Sequence, residues 1–204
     1  MTSVVVVGAS RLGKSALWLG LAKAFEPAAL RLEGRDGGTE RVPWPVARGR
    51  YGRTGWHGVR VARVALRPEL APAGARGAWT RALRLVDGPG IDGDGGPRPA
   101  GRGDVATLLA EAIAADLLVH VVGGAQGRAD EAVRRLAAAR GIPVETVVVQ
   151  AGRGGVSTAG RRLRLDASGW ASGRDALRLG ASLARRLAAV RAAAWASDRG
   201  GGEA

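Results

Sequence analysis

Val4-Val-Val-Val7-Gly8-Ala9-Ser10-Arg11-Leu12-Gly13-Lys14-Ser15-Ala16 is the stretch that decides the fold. Four successive valines form a continuous β-branched run, the pattern of a strand buried on both faces of a parallel sheet. Gly8 ends the run. From Ser15 to Phe25, Leu17, Leu19, Leu21, Ala22 and Phe25 supply the apolar positions of a helix, and Pro27 follows its end. A strand, a glycine-bounded loop and a helix in immediate succession build an anion site. Glycines let the backbone wrap the anion with its N–H groups pointing inward, and the helix N-terminus adds the positive end of its dipole.

Gly8 to Ser15 also has the spacing G-x-x-x-x-G-K-S of a phosphate-binding P-loop. In that reading Gly8, Ser10, Arg11, Leu12, Gly13, Lys14, Ser15 and Ala16 surround the phosphates. Lys14 reaches the β- and γ-phosphates, and the Ser15 hydroxyl ligates Mg²⁺. Lys14 and Lys23 are the only lysines in 204 residues, so a lysine at this point of the motif carries weight.

Outward from the loop, residues 26–53 carry Gly, Pro and Arg without a period and are expected to form a long loop. Val59–Leu66 and Trp79–Val86 read as an antiparallel strand pair joined through a turn region at 68–77. Asp87–Gly103 is rich in Gly and Pro and reads as loop. Val105–Ala115 and Ala129–Arg140 read as helices, the second ended by Gly141 and Pro143. Asp116–Val122 and Val144–Val149 read as strands, with a short last strand at 163–165. A long amphipathic helix is expected over 175–195. The alternation predicts an α/β fold, a P-loop NTPase with a mostly parallel central sheet, one antiparallel edge pair and helices on both faces. Residues 1–196 are expected to form one domain and 197–204 a flexible tail.

Arg84-Leu-Val-Asp87-Gly-Pro-Gly90 is the second informative segment. An aspartate at a strand end can hold Mg²⁺ through water, and the Gly90 N–H can face a γ-phosphate. With this segment the chain resembles the translation-factor-related GTPases, and among them the small bacterial GTPases of the Era-like group. The resemblance runs from about Val4 to Leu187. Gly8–Ser15 is similar to the family's first motif and Asp87–Gly90 to its third. Leu165-Asp-Ala-Ser168 is similar to its Ser-Ala loop. The resemblance implies binding of GTP and GDP, with Mg²⁺ held by Ser15, Asp87 and a switch threonine. Thr54, which precedes the Val59–Leu66 strand, is the candidate for that threonine, and Thr39 is the alternative.

The chain also departs from the family. Its members read guanine with Asn/Thr-Lys-x-Asp after the strand that here ends at Gln150. Gln150 falls where Asn is expected, Ala151 replaces the lysine, and Arg153 falls where the aspartate belongs. Arginine has only donors and cannot accept from the guanine N1–H and amino group, although it can approach O6 or N7. Gln150, Arg153 and Ser168 are therefore the candidate base-binding residues, with eroded selectivity. After Gly90 stands Ile91, whose side chain cannot polarise water. Arg11 falls where potassium-activated members carry an asparagine. Its guanidinium could supply charge in cis, as an arginine finger does, or point to solvent. Lys14 and Arg11 are the candidate catalytic residues.

Composition sets the outer limits. The chain has no cysteine, which excludes disulfides and thiolate metal sites, and His57 and His120 are its only histidines. No apolar run approaches the ~20 residues of a membrane span, and a cytoplasmic location is expected. The net charge of +13 is almost all arginine. Such a surface can attract RNA or the ribosome, although the arginines are scattered rather than clustered, and arginine in place of lysine also fits a GC-rich genome. The functional expectation is a small GTP-binding switch protein that hydrolyses GTP slowly. The alternative is a non-catalytic scaffold that holds a protein partner through its basic surface.

Overall fold

The computed structural model describes residues 2–9, 12–34, 36–51, 58–65, 83–91, 102–123, 127–150, 155–158, 161–164, 179–180, 182–183 and 186. The strands among them are β1 (Thr2–Gly8), β2 (Leu30–Glu33), β3 (Thr39–Val42), β4 (Arg60–Val64), β5 (Leu83–Asp87), β6 (Leu117–Val122), β7 (Val144–Gln150), β8 (Gly155–Thr158) and β9 (Arg161–Arg164). The helices are α1 (Lys14–Phe25), α2 (Trp44–Tyr51), α3 (Arg102–Ile113) and α4 (Arg128–Arg140). All nine strands join one sheet in the order β3-β2-β4-β5-β1-β6-β7-β8-β9.

The four central strands β5, β1, β6 and β7 are mutually parallel. β1 lies in the middle and is buried along its whole length. Because a strand's side chains alternate between faces, Val4 and Val6 enter one core cluster while Val5 and Val7 enter the other. The first cluster contains Leu17, Trp18, Leu21 and Phe25 of α1, Trp44, Ala47 and Tyr51 of α2, and Leu179 and Leu183. The second contains Leu108 and Ala112 of α3 with Val133 and Ala137 of α4. Helices thus cover both faces, and an all-valine strand is stable only in such a place.

Two expectations need correction. Residues 26–53 are not one long loop. Leu30-Arg-Leu-Glu33 alternates inward and outward and pairs antiparallel with β3, and the pair buries Leu30 and Leu32 of β2 and Val42 of β3. Four-residue strands are too short to show a convincing period, and their charged outer positions masked the alternation. Antiparallel pairing is also not confined to one edge. On one flank β3, β2, β4 and β5 alternate in direction, each antiparallel to its neighbour, while β8 and β9 form an antiparallel extension beyond β7. The turn region at 68–77 and the tail at 197–204 lie outside the described residues, as does most of the expected helix over 175–195.

One buried polar pair links sheet to helix. His120 of β6 is 1% exposed, and its Nε2 lies 2.9 Å from Asp130 Oδ1 on α4. Asp130 Oδ2 accepts the Gly127 N–H at 2.9 Å, capping the same helix. Burial pushes the His120 pKa below its ordinary value of 6.5; the hydrogen bond to Asp130 pulls upward and nearby Arg134 downward. The folded ring therefore protonates at lower pH than the unfolded one. Its contribution to stability is complete above the unfolded value and is lost as pH falls below about 6.5, at up to ~1.4 kcal/mol per pH unit. Urea unfolding between pH 7.5 and 5.5 should show this slope in the parent and a shallower one in His120→Asn. Equal slopes would remove His120 as the cause.

Candidate functional site

The site is assembled where β1 and β5 end. Gly8 closes β1 with φ 144°, and a Cβ there would lie 2.2 Å from the Val121 carbonyl oxygen of β6. Only glycine leaves the sheet at this point without a clash. Gly13 has φ 78° and stands immediately before α1. Its carbonyl accepts the first helical bond, from the Leu17 N–H at 2.9 Å. The Lys14 side chain folds back over the loop, and its Nζ donates to the Ala9 carbonyl at 2.7 Å. Leu12, partly buried, packs against the α1-side core, and Ala16 lies in the first turn of α1. Ser10 and Arg11 lie outside the described residues.

The loop after β5 is tied to the same place. The Ile91 N–H donates to the Gly8 carbonyl at 3.0 Å, which sets Gly90 and Ile91 beside the loop at the end of β1. Ser15 Oγ donates to Asp87 Oδ2 at 2.8 Å across a sequence separation of 72. The two residues expected to share a metal ion are therefore brought together. Thr54 lies outside the described residues, and Thr39 begins β3, separated from β1 by β2, β4 and β5.

A third side chain meets both Ser15 and Asp87. Arg60 Nη2 donates to Ser15 Oγ at 3.0 Å and also to Asp87 Oδ2. Register puts it there: Arg60 is the cross-strand partner of Asp87 in the antiparallel β4–β5 pair. The guanidinium carbon lies 5.1 Å from the Trp18 ring centroid and 5.2 Å from that of Tyr51. The Trp18 indole is held by its Nε1–H bond to the Leu85 carbonyl at 2.7 Å. Arg60 is 6% exposed and Asp87 is fully buried. Burial draws the Arg60 pKa below its ordinary value and Asp87 opposes the change. Starting so high, the guanidinium keeps its proton.

This arrangement does not suit the expected Mg²⁺. That ion requires near-octahedral oxygens at about 2.0–2.1 Å and keeps several waters. Here Ser15 Oγ and Asp87 Oδ2 are turned toward a guanidinium, and Asp87 Oδ1 is the carboxylate oxygen with no hydrogen-bond partner among the described residues. A cation ~4 Å from Arg60 would also meet a repulsion on the order of 4 kcal/mol per unit charge at a near-surface dielectric.

Around the expected base pocket, β7 does not lead into a helix. Gln150 pairs with Gly155, so β7 turns into β8 through the four positions 151–154. Gln150 ends β7, Arg153 lies in that connection outside the described residues, and Ser168 is also outside them.

Sequence reasoning missed Arg60. One signal was available: in Arg60-Val-Ala-Arg-Val64 the alternate residues Arg60, Ala62 and Val64 lie on the buried face, so a charge stood in an apolar row. Which row faced inward depends on register, and one residue of slip reverses it.

The fold is α/β with the strand–loop–helix arrangement of a P-loop. Among the described residues the strand, the two glycines that bound the loop, the lysine at the helix start and the aspartate of the neighbouring parallel strand are all in place. No family model matches the sequence, and no curated protein matches it. Among solved structures the chain is similar to a variant of Era from Aquifex aeolicus bound to GDP and AlF₄⁻, with TM-score 0.44 and 14% identity over 72% of this chain and 39% of that one. It is also similar to Era in complex with MgGDPNP and a segment of 16S ribosomal RNA, with TM-score 0.44 and 15% identity over the same shares. The matched region thus spans about two fifths of those proteins. Among the described residues no helix is long and apolar enough to cross a membrane.

Proposed function

We propose that this chain binds GTP and GDP through the loop Gly8–Ser15 and hydrolyses GTP slowly, as a regulatory switch. The observation that carries the reading is Lys14. It opens α1 directly after a left-handed Gly13, and its ammonium reaches across the loop to the Ala9 carbonyl. A cation, a helix N-terminus and a glycine-shaped loop then converge on one anion. In the proposed reaction water attacks the γ-phosphorus, the bond to the β–γ bridging oxygen breaks, and GDP and phosphate leave. Lys14, the loop N–H groups and Arg11 stabilise the departing charge. The net charge of +13 supports an anionic partner such as RNA, or a protein partner with an acidic face.

Base selection is weak in this proposal. The acceptor aspartate is replaced by Arg153 in a short strand-to-strand connection, which leaves guanine's donors without a partner there. Competition between GTP and ATP, followed with a fluorescent nucleotide, should show a preference for GTP of less than ~1000-fold, whereas a paired polar pocket can reach about 10⁴–10⁵. A stronger preference would place a base reader elsewhere in the chain. Absence of binding by either nucleotide would refute the proposed function. Tight binding without turnover would leave a nucleotide-binding scaffold.

A further inference from the structure

We propose that Arg60 is the resident cation of the phosphate site, and that the chain binds nucleoside di- and triphosphates without a divalent metal ion. The inference rests on the reading of Gly8–Ser15 as the phosphate loop. Three observations carry it. The first is position: one guanidinium nitrogen donates to both the Ser15 hydroxyl and Asp87 Oδ2, the pair that would otherwise flank a metal ion. The second is confinement. Arg60 is buried, its guanidinium lies against the rings of Trp18 and Tyr51, and those faces favour a cation. The third is anchorage. The β4–β5 register fixes Arg60 opposite Asp87, and the Leu85 carbonyl accepts the Trp18 indole N–H, so the ladder holds the strand and a side-chain bond holds the wall.

The chemistry differs from that of a metal. A guanidinium carries one positive charge in a planar fork of donors and does not accept ligands. It can neutralise Asp87 and orient Ser15, but it cannot bind a phosphate oxygen and water together as an octahedral ion does. Affinity for a phosphorylated ligand should then be indifferent to chelators.

The test is titration of the full chain with a fluorescent GDP analogue, once in excess Mg²⁺ and once in EDTA. The parent should bind with dissociation constants differing by less than ~3-fold. Arg60→Met, which keeps bulk and removes charge, should bind at least ~10-fold more tightly in Mg²⁺ than in EDTA. Circular dichroism shows whether that variant is folded. If it is not, the parent's two constants decide, together with Mn²⁺ titration of the parent by electron paramagnetic resonance, which should reveal no tight site. Parent binding that strengthens ~10-fold or more with Mg²⁺ would overturn the assignment of Arg60 and leave the phosphate loop standing. A tight Mn²⁺ site in the parent would do the same. No GDP binding in either buffer would overturn the phosphate-loop reading, and the role of Arg60 with it.

Discussion

Asp87→Ala is expected to cost about 3–5 kcal/mol of folding stability, the typical result of removing one partner from a buried ion pair. Asp87 is fully buried and Arg60 nearly so, and the two side chains are joined across the β4–β5 ladder. Without the carboxylate the guanidinium would remain between Trp18 and Tyr51 with its charge uncompensated. Since a domain is stable by only ~5–15 kcal/mol, the variant would lose a large part of its margin. At about 2–4 °C per kcal/mol for a chain of this size, the midpoint should fall by roughly 6–20 °C. The double variant Arg60→Met/Asp87→Leu should recover most of the loss, because a hydrophobic pair can replace a buried ion pair at little cost. Urea unfolding of parent, single and double variants measures this directly. A loss below ~1 kcal/mol for Asp87→Ala would mean that the pair is solvated, as surface pairs are.

Lys14→Ala is expected to weaken GTP and GDP binding by at least ~100-fold, about 2.7 kcal/mol, with little change in folding stability. The separation of the two effects follows from position. The Lys14 ammonium bonds the Ala9 carbonyl inside the loop, whereas the apolar residues of α1 that meet the sheet are Leu17, Trp18, Leu21 and Phe25. Alanine is the best helix former and is tolerated at the first position of α1. Nucleotide titration, paired with thermal unfolding of the same sample, reads both quantities. Unchanged affinity in a folded variant would mean that the nucleotide, if bound, is held elsewhere.

Much of the scaffold was legible because its signals are local. Four valines in a row suit only a strand covered on both sides, and β1 is that strand. The glycines of the loop announce backbone conformations that other residues resist: Gly8 at φ 144° and Gly13 at φ 78° bear this out. Helix α4 was bounded by its own period and by Gly141, which stands at φ 63° where the helix stops. The α3 helix and β6 lie close to their expected bounds for the same reason. The β2–β3 hairpin and α2 were hidden in 26–53, since short elements acquire their stability from what they pack on rather than from their own pattern.

By itself the sequence determined that a strand, a glycine-bounded turn and a helix follow one another here, and that Asp87 ends another strand, because turn chemistry and hydrophobic period act over a few residues. Only the tertiary structure decided what Asp87 faces. Arg60 is 27 residues away from it, in a strand whose two faces differ by a single step of register. The β4–β5 ladder sets that step, and with it brings a guanidinium onto both Ser15 and Asp87. A long-range pairing of this kind leaves no period in the sequence, since its energy arises only when both strands are already in the sheet.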